Sequence, residues 1–300
     1  MSSIQQGKPG IGGHWYIIFA ALLWGTTGTA QAFSPAGFDP KVIGAMRLVI
    51  GGSVLMFLAL KRKEMGKFKD WSIFPLLAAA LLTASYQICF FSAVAKTGVA
   101  VGTIVGVGSA PIAGGLLGRL FRGEHLSRRW LVATILAICG CSLLSLSDGD
   151  VSIDTVGILF ALGAGVSYSA YTLMIKGMLE KLPPNAIMAA VVCLAGVILS
   201  PFLTDIDPQW LWQPRSIIVI LHLGIISMAV SYWFFARGLA TVPVSSATTL
   251  SLAEPATAAV LGIVVLGEQM TSQSLLGIAL IFAGLVVLVA KRKRINSLEV

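Results

Sequence analysis

Apolar positions in this chain run in long unbroken blocks rather than in alternation. Ten such windows succeed one another, at 15–33, 41–60, 72–96, 98–121, 129–146, 154–178, 185–203, 215–238, 243–266 and 272–290. About 20 apolar residues wound into a helix cross the roughly 30 Å hydrocarbon core of a bilayer. The polar intervals between windows are short. The pattern therefore predicts an all-α membrane protein of ten transmembrane helices with no appended soluble domain.

Composition agrees with the pattern. Of 300 residues, 56% are hydrophobic and 11% charged, whereas a soluble domain carries about 25% charged residues. So few charges do not solvate a water-exposed fold, and the surplus apolar surface is expected to meet the lipid bilayer. The net charge of +8 is not read as a nucleic-acid footprint, because the basic residues cluster between the apolar blocks, as topogenic loops do. With the N-terminus placed in the cytoplasm, Lys8, Lys61, Arg62, Lys63, Lys67, Lys69, Arg119, Arg122, Arg128, Arg129, Lys176, Lys181, Arg237 and the basic run 291–294 fall on the cytoplasmic side. Only Lys41, Lys96 and Arg215 fall on the other side, and Arg47 lies within a span. This bias predicts a bacterial inner-membrane protein with both termini cytoplasmic. Trp15, Trp71, Trp130, Trp210 and Trp212 fall near window ends, where headgroups suit an indole. Lys8, an apolar run and Ala30-Gln31-Ala32 imitate a cleavable signal, but the run is long for one and its loss would break the internal repeat of the chain. The cysteines, Cys89, Cys139, Cys141 and Cys193, sit inside apolar blocks without metal-site spacing, so no metal is expected.

That repeat appears when the sequence is shifted by 144 residues, which aligns its two halves. Thr97 meets Thr241, Pro111 meets Pro255, Leu117-Gly118 meets Leu261-Gly262, Gly123-Glu124 meets Gly267-Glu268, Gly140 meets Gly284 and Trp24 meets Tyr168. The halves are assigned to 1–147 and 148–300, five spans each. Because five is odd, the second copy is expected to cross the membrane in the opposite sense, giving two inverted five-helix repeats.

Several residues carry a family resemblance. Trp24-Gly25 stands in the first window, Pro40 and Arg47 at the second, Glu254-Pro255 and then Gly267-Glu268 at the ninth, and Gly277 with Gly284 in the tenth. In these the chain resembles the EamA-type ten-span members of the drug/metabolite transporter superfamily, and it is similar to bacterial aromatic amino-acid exporters. The resemblance implies export of amino acids, metabolites or drugs. Ala110 stands where the repeat would place a second copy of Glu254, so any role of that acid is not duplicated.

Candidate substrate-binding residues emerge from depth in the membrane. Trp24, Tyr86, Tyr168, Tyr171, Tyr232 and Trp233 sit near the middle of windows one, three, six and eight. A tyrosine hydroxyl facing lipid would lack a partner, so these rings are expected to point inward, with Gln87, Ser231 and Ser251 beside them, around a small amphipathic or aromatic substrate. Packing between helices is the alternative reading. Glu254 is a carboxylate at mid-span, suited to a cation, a proton or a structural hydrogen bond. Arg47 suits a substrate carboxylate or a snorkelling position at the outer face. His222 reads as packed, while Thr26, Thr27 and Gln31 are positioned to line a path. Pro111 and Pro255 displace the carbonyls of Val107 and Ser251 and are candidate hinges, those carbonyls being free to meet a substrate ammonium. Glycines crowd the fourth window, from Gly98 to Gly118, and favour close helix packing.

No cofactor is implied. Gly66-Lys67 is followed by Phe68 without a glycine-rich loop, so no ATPase function or subunit is expected. The spans contain no HExxH, GxSxG or paired aspartates, which argues against an intramembrane enzyme. A channel is the other alternative, and the reading preferred is a secondary transporter using alternating access, with proton coupling or facilitated diffusion both open.

Overall fold

The computed structural model describes residues 11–37, 40–146, 154–205 and 208–290. Lys8, the basic run 291–294 and the expected boundary between the halves at 147/148 lie outside the described residues. Within them all regular structure is helical: α1 (Ile11–Ala32), α2 (Pro40–Lys61), α3 (Ile73–Arg122), α4 (Arg128–Leu146), α5 (Thr155–Met178), α6 (Pro184–Leu199), the short α7 (Pro208–Leu211), α8 (Pro214–Leu221), a π-helical stretch (His222–Val230), α9 (Ser231–Thr241), α10 (Val244–Leu250), α11 (Ala253–Leu266) and α12 (Ser272–Val289), with two short 3₁₀ turns. Among the described residues, nine helical segments are long and apolar enough to cross a membrane. The 22-residue α1 is not among them. Its second half carries Thr26, Thr27, Thr29 and Gln31, which lowers its hydropathy; three of these, Thr27, Thr29 and Gln31, line a cavity rather than lipid. The outer surface is apolar: Phe74 is 79% and Val264 75% exposed, as suits side chains that lipid would cover.

Where the windows break internally, the cause is local. The third and fourth windows form one 50-residue helical stretch, α3, interrupted at Gly98, whose φ of 78° and ψ of 168° lie where only glycine sits without strain. Pro111 leaves the rest of α3 helical. Its repeat-equivalent, Pro255, behaves differently. The ninth window divides at Ser251–Leu252 into α10 and α11, and the Ser251 carbonyl that Pro255 displaces accepts instead from the Glu254 N–H at 3.0 Å. That carbonyl therefore already holds one of the two hydrogen bonds it can accept. Two tryptophans expected at the headgroups also turn inward: Trp130 is buried and donates from Nε1 to Ser245 O at 2.9 Å, and Trp210 is buried and donates to Pro35 O at 3.3 Å.

The halves repeat in detail. Ser127 Oγ accepts from Trp130 N at 3.1 Å to cap α4, and Thr271 Oγ accepts from Ser274 N at 3.0 Å to cap α12, 144 residues on. Left-handed Gly123 (φ 64°) ends α3 and left-handed Gly267 (φ 74°) ends α11. After each, the glutamate N–H turns back to a glycine carbonyl at 3.1 Å, Glu124 to Gly118 and Glu268 to Gly262. The packing of α4 on α12 is reciprocal. A Cβ at Gly140 would stand 2.5 Å from Gly277 O, and one at Gly284 would stand 2.6 Å from Ala133 O. These two contacts exchange under the same shift. In lipid, where no hydrophobic force drives helices together, such backbone approach supplies the attraction.

Candidate substrate-binding cavity

A cavity of about 880 Å³ lies among α1, α2, α3, α5, α9 and α11, within the size range of small-molecule sites. Of the residues expected there, Trp24, Tyr86, Gln87, Tyr168, Tyr171, Tyr232 and Glu254 line it, as does the candidate hinge Pro255. Three do not. Ser231 is fully buried and donates to the carbonyls of Ser227 and Met228 in its own helix. Trp233 turns to the outside of α9, where it packs edge-on against Phe234 at 4.9 Å and beneath the Arg237 guanidinium at 4.0 Å. Ser251 sits behind the wall as a second-row hydroxyl. It donates to Ala247 O at 3.0 Å, so the 2.5 Å bond it shares with Tyr168 has the tyrosine as donor.

The aromatic rings form one connected group. Trp24 meets Tyr168 edge-on at 6.4 Å and Tyr232 edge-on at 5.4 Å, and it lies tilted against Phe235 at 5.2 Å. Tyr168 meets Tyr171 at 5.2 Å and 90°, and Tyr86 at 6.0 Å. The Tyr171 and Tyr232 hydroxyls are 3.3 Å apart. Among the described residues Trp24 Nε1 has no partner. Edge-to-face pairs contribute about 0.5–1.5 kcal/mol each beyond burial, and Trp24 links three rings. Trp24→Ala is expected to destabilise the protein by roughly 3–5 kcal/mol, read as a fall in thermal unfolding temperature in detergent, with Trp24→Phe keeping a ring in place and losing much less.

Arg47 settles inward. It lines the cavity, Nη2 reaches Ser227 Oγ at 3.4 Å, and among the described residues Nε has no partner. Thr27 Oγ lies 2.6 Å from the same serine hydroxyl. His222 is held at the α1 interface. Thr26 Oγ donates to Leu23 O at 2.7 Å and so accepts from His222 Nε2 at 2.8 Å. The π-helical stretch that supplies Ser227, His222 and the cavity-lining Met228 has no counterpart in the apolar pattern, which reads the eighth window as one regular helix. Phe90, Phe91 and the mouth residues Gln269, Thr271 and Ser274 also line the cavity, and nothing in their sequence positions marks them for it. Glu268 stands out in the sequence as half of a repeated Gly-Glu pair, without a hint that it borders the cavity.

The cavity runs from this aromatic floor to the end of the bundle that holds Gln31, Val94, Leu266 and Glu268. Its lining includes no residue of α10 and none of α5 beyond Tyr171. It opens at that end, where the lining residues Ala32, Glu268, Gln269 and Thr271 are exposed.

A family model described as the EamA-like transporter family matches residues 11–146 and 155–290. The chain belongs to this family. The two matched stretches are offset by the same 144 residues as the internal repeat. Among relatives, the uncharacterized transporter YwfM of Bacillus subtilis is 42% identical over 95% of this chain and 96% of its own length. The threonine/homoserine exporter RhtA of Escherichia coli K12 is 27% identical over 95% of this chain and 94% of its own. One crystal structure superposes with a TM-score of 0.80 at 19% identity, covering 92% of this chain and 95% of that one, a likeness of fold. This EamA-family protein is therefore a membrane transporter with a small-molecule substrate, not an enzyme.

Proposed function

We propose that this EamA-family transporter exports amino acids, aromatic ones favoured, across the bacterial inner membrane by alternating access. The observation that carries the reading is the cavity wall. It presents one guanidinium, Arg47, and one mid-span carboxylate, Glu254, above a floor of Trp24, Tyr168 and Tyr232. An amino-acid zwitterion matches that set: its carboxylate to Arg47, its ammonium to Glu254 and its side chain to the rings. The name of RhtA adds an amino-acid exporter among the relatives.

Ten spans in two inverted halves are part of the same proposal. The reciprocal α4–α12 contacts support it, since two contacts that exchange under one shift are what a twofold axis between the halves produces. The charge bias then puts both termini in the cytoplasm and the open mouth outside, with Pro111 and Pro255 as hinges. Purified protein in liposomes, offered a panel of amino acids and unrelated metabolites under counterflow, tests the substrate class. Saturable exchange of phenylalanine, tyrosine or tryptophan is expected. Exchange confined to a metabolite without an α-amino acid group would overturn it. Imposing a pH gradient on the same vesicles separates proton antiport from facilitated diffusion, and the loss of any gradient dependence in Glu254→Gln would place coupling on that carboxylate.

A further inference from the structure

At the end of the bundle away from the cavity mouth, the turn between α9 and α10 is gripped from both sides. Glu124 Oε1 accepts from Val244 N at 2.7 Å, and Oε2 accepts from Ser245 N at 3.0 Å and Ser245 Oγ at 2.6 Å. Lys176 Nζ donates to the carbonyls of Leu239, Ala240 and Val242 at 2.6, 3.1 and 3.1 Å. Trp130 and Thr134 hold the same segment, through Ser245 O and a 2.9 Å bond to Thr249 Oγ. The bonds from Glu124 and Lys176 are charge-assisted bonds to backbone groups, the strong class.

Under the 144-residue shift the carboxylate part of the grip has a counterpart at the other end, whereas Lys176 and Thr134 fall on Ala32 and Ile278. Glu268 corresponds to Glu124, Ser274 to Trp130, and the N–H groups of Ala100 and Val101 to those of Val244 and Ser245. There the contact is open. Glu268 and Ser274 line one lip of the cavity mouth and Thr103 and Val94 the other, and among the described residues the Glu268 carboxylate has no partner. Yet both carboxylates are placed alike. Each lies against the glycine six residues before it, Gly118 or Gly262, so closely that a Cβ on either glycine would collide with it. The backbone that Glu268 would grip comes directly after Gly98, whose φ of 78° gives that turn a pivot and whose Cβ position is open space.

We propose that Glu124 and Glu268 are two halves of one reciprocal latch. Glu124 holds the inner end shut in the state seen here, and Glu268 closes the mouth by accepting from the Ala100 and Val101 N–H groups once Glu124 lets go. The proposal rests on the alternating-access reading and adds to it the groups that set the balance between the two states. It makes both glutamates positioning residues: Glu124 lies away from the cavity, and Glu268 borders its mouth rather than its aromatic floor.

The test reads accessibility, not substrate. In a background with the four cysteines replaced, single cysteines are placed at Thr103, on the mouth, and at Thr248, buried beneath the Glu124 contact. A membrane-impermeant maleimide is applied to vesicles of both orientations. Glu124→Ala is expected to raise labelling at position 248 about tenfold and lower it at 103, since charged hydrogen bonds lost from one state shift the ratio by that order. Glu268→Ala is expected to do the reverse. Glu124→Gln and Glu268→Gln, which keep one acceptor, should shift the same way by less and guard against misfolding. If both alanine variants move labelling in one direction, or neither moves it while the wild type is labelled at both sites, the latch is wrong and alternating access survives. If position 248 is never labelled in any variant while counterflow persists, the inner end does not open at this contact and the latch fails.

Discussion

Arg47→Ala is expected to reduce amino-acid counterflow about a hundredfold while the protein remains folded and monodisperse. The guanidinium is the one cation among the cavity-lining residues described. It is half-buried, and among the described residues it has one long bond to Ser227 and an Nε without a partner. Little of the fold depends on it. Truncating one member of a desolvated charge pair with a ligand costs about 2–5 kcal/mol, and 1.4 kcal/mol is about tenfold. Arg47→Lys should recover only part of the rate, because an ammonium keeps the charge but not the planar fork that meets a carboxylate on two bonds. Initial rates in proteoliposomes, taken at several substrate concentrations, separate a binding defect from a slow conformational step. Unchanged counterflow in Arg47→Ala would remove the carboxylate from the recognition scheme.

Gly140→Leu is expected to lower the thermal unfolding temperature sharply, by a destabilisation of about 3 kcal/mol or more. A Cβ there meets the Gly277 carbonyl oxygen and the Ile281 side chain and backbone. The nearest obstacle is backbone, which cannot rotate aside, so α4 and α12 must separate along a seam that small residues keep close. Gly284→Leu should cost a similar amount, because its Cβ meets the Ala133 carbonyl in the equivalent contact. Leu131→Ala, on the half-exposed outer face of α4, should be near neutral by comparison. A large difference between the two glycine variants, measured by tryptophan fluorescence on heating in one detergent, would show that the seam is not reciprocal.

The site is legible in the sequence where chemistry restricts a side chain and illegible where only azimuth decides. A tyrosine hydroxyl at mid-span needs a partner, and Tyr86, Tyr168, Tyr171 and Tyr232 all turn away from lipid. Trp233 stands next to Tyr232 yet faces outward, and Ser231 spends its proton on its own helix. Nothing in their identities distinguishes them. The π-helical stretch His222–Val230 just before them widens the turn and so rotates α9 about its axis, and apolar periodicity is blind to that. Arg47 illustrates the same limit. A long cation near a span end snorkels or turns inward according to what the neighbouring helices leave open.

Apolar patterning and composition alone establish that the chain is helical, apolar enough to live in a membrane and duplicated at 144 residues. Lipid as solvent forces those features onto composition: backbone groups must be satisfied within each segment, and charges are confined to the connections. The sequence also holds the Gly-Glu pair in both copies. That the copies are used differently is visible in the folded molecule alone, with Glu124 bound to Val244 and Ser245 and Glu268 facing the mouth. Two similar sequences packed about an axis can close at one end of the molecule while the other stands open, and that choice belongs to packing between helices, which no single window of residues records.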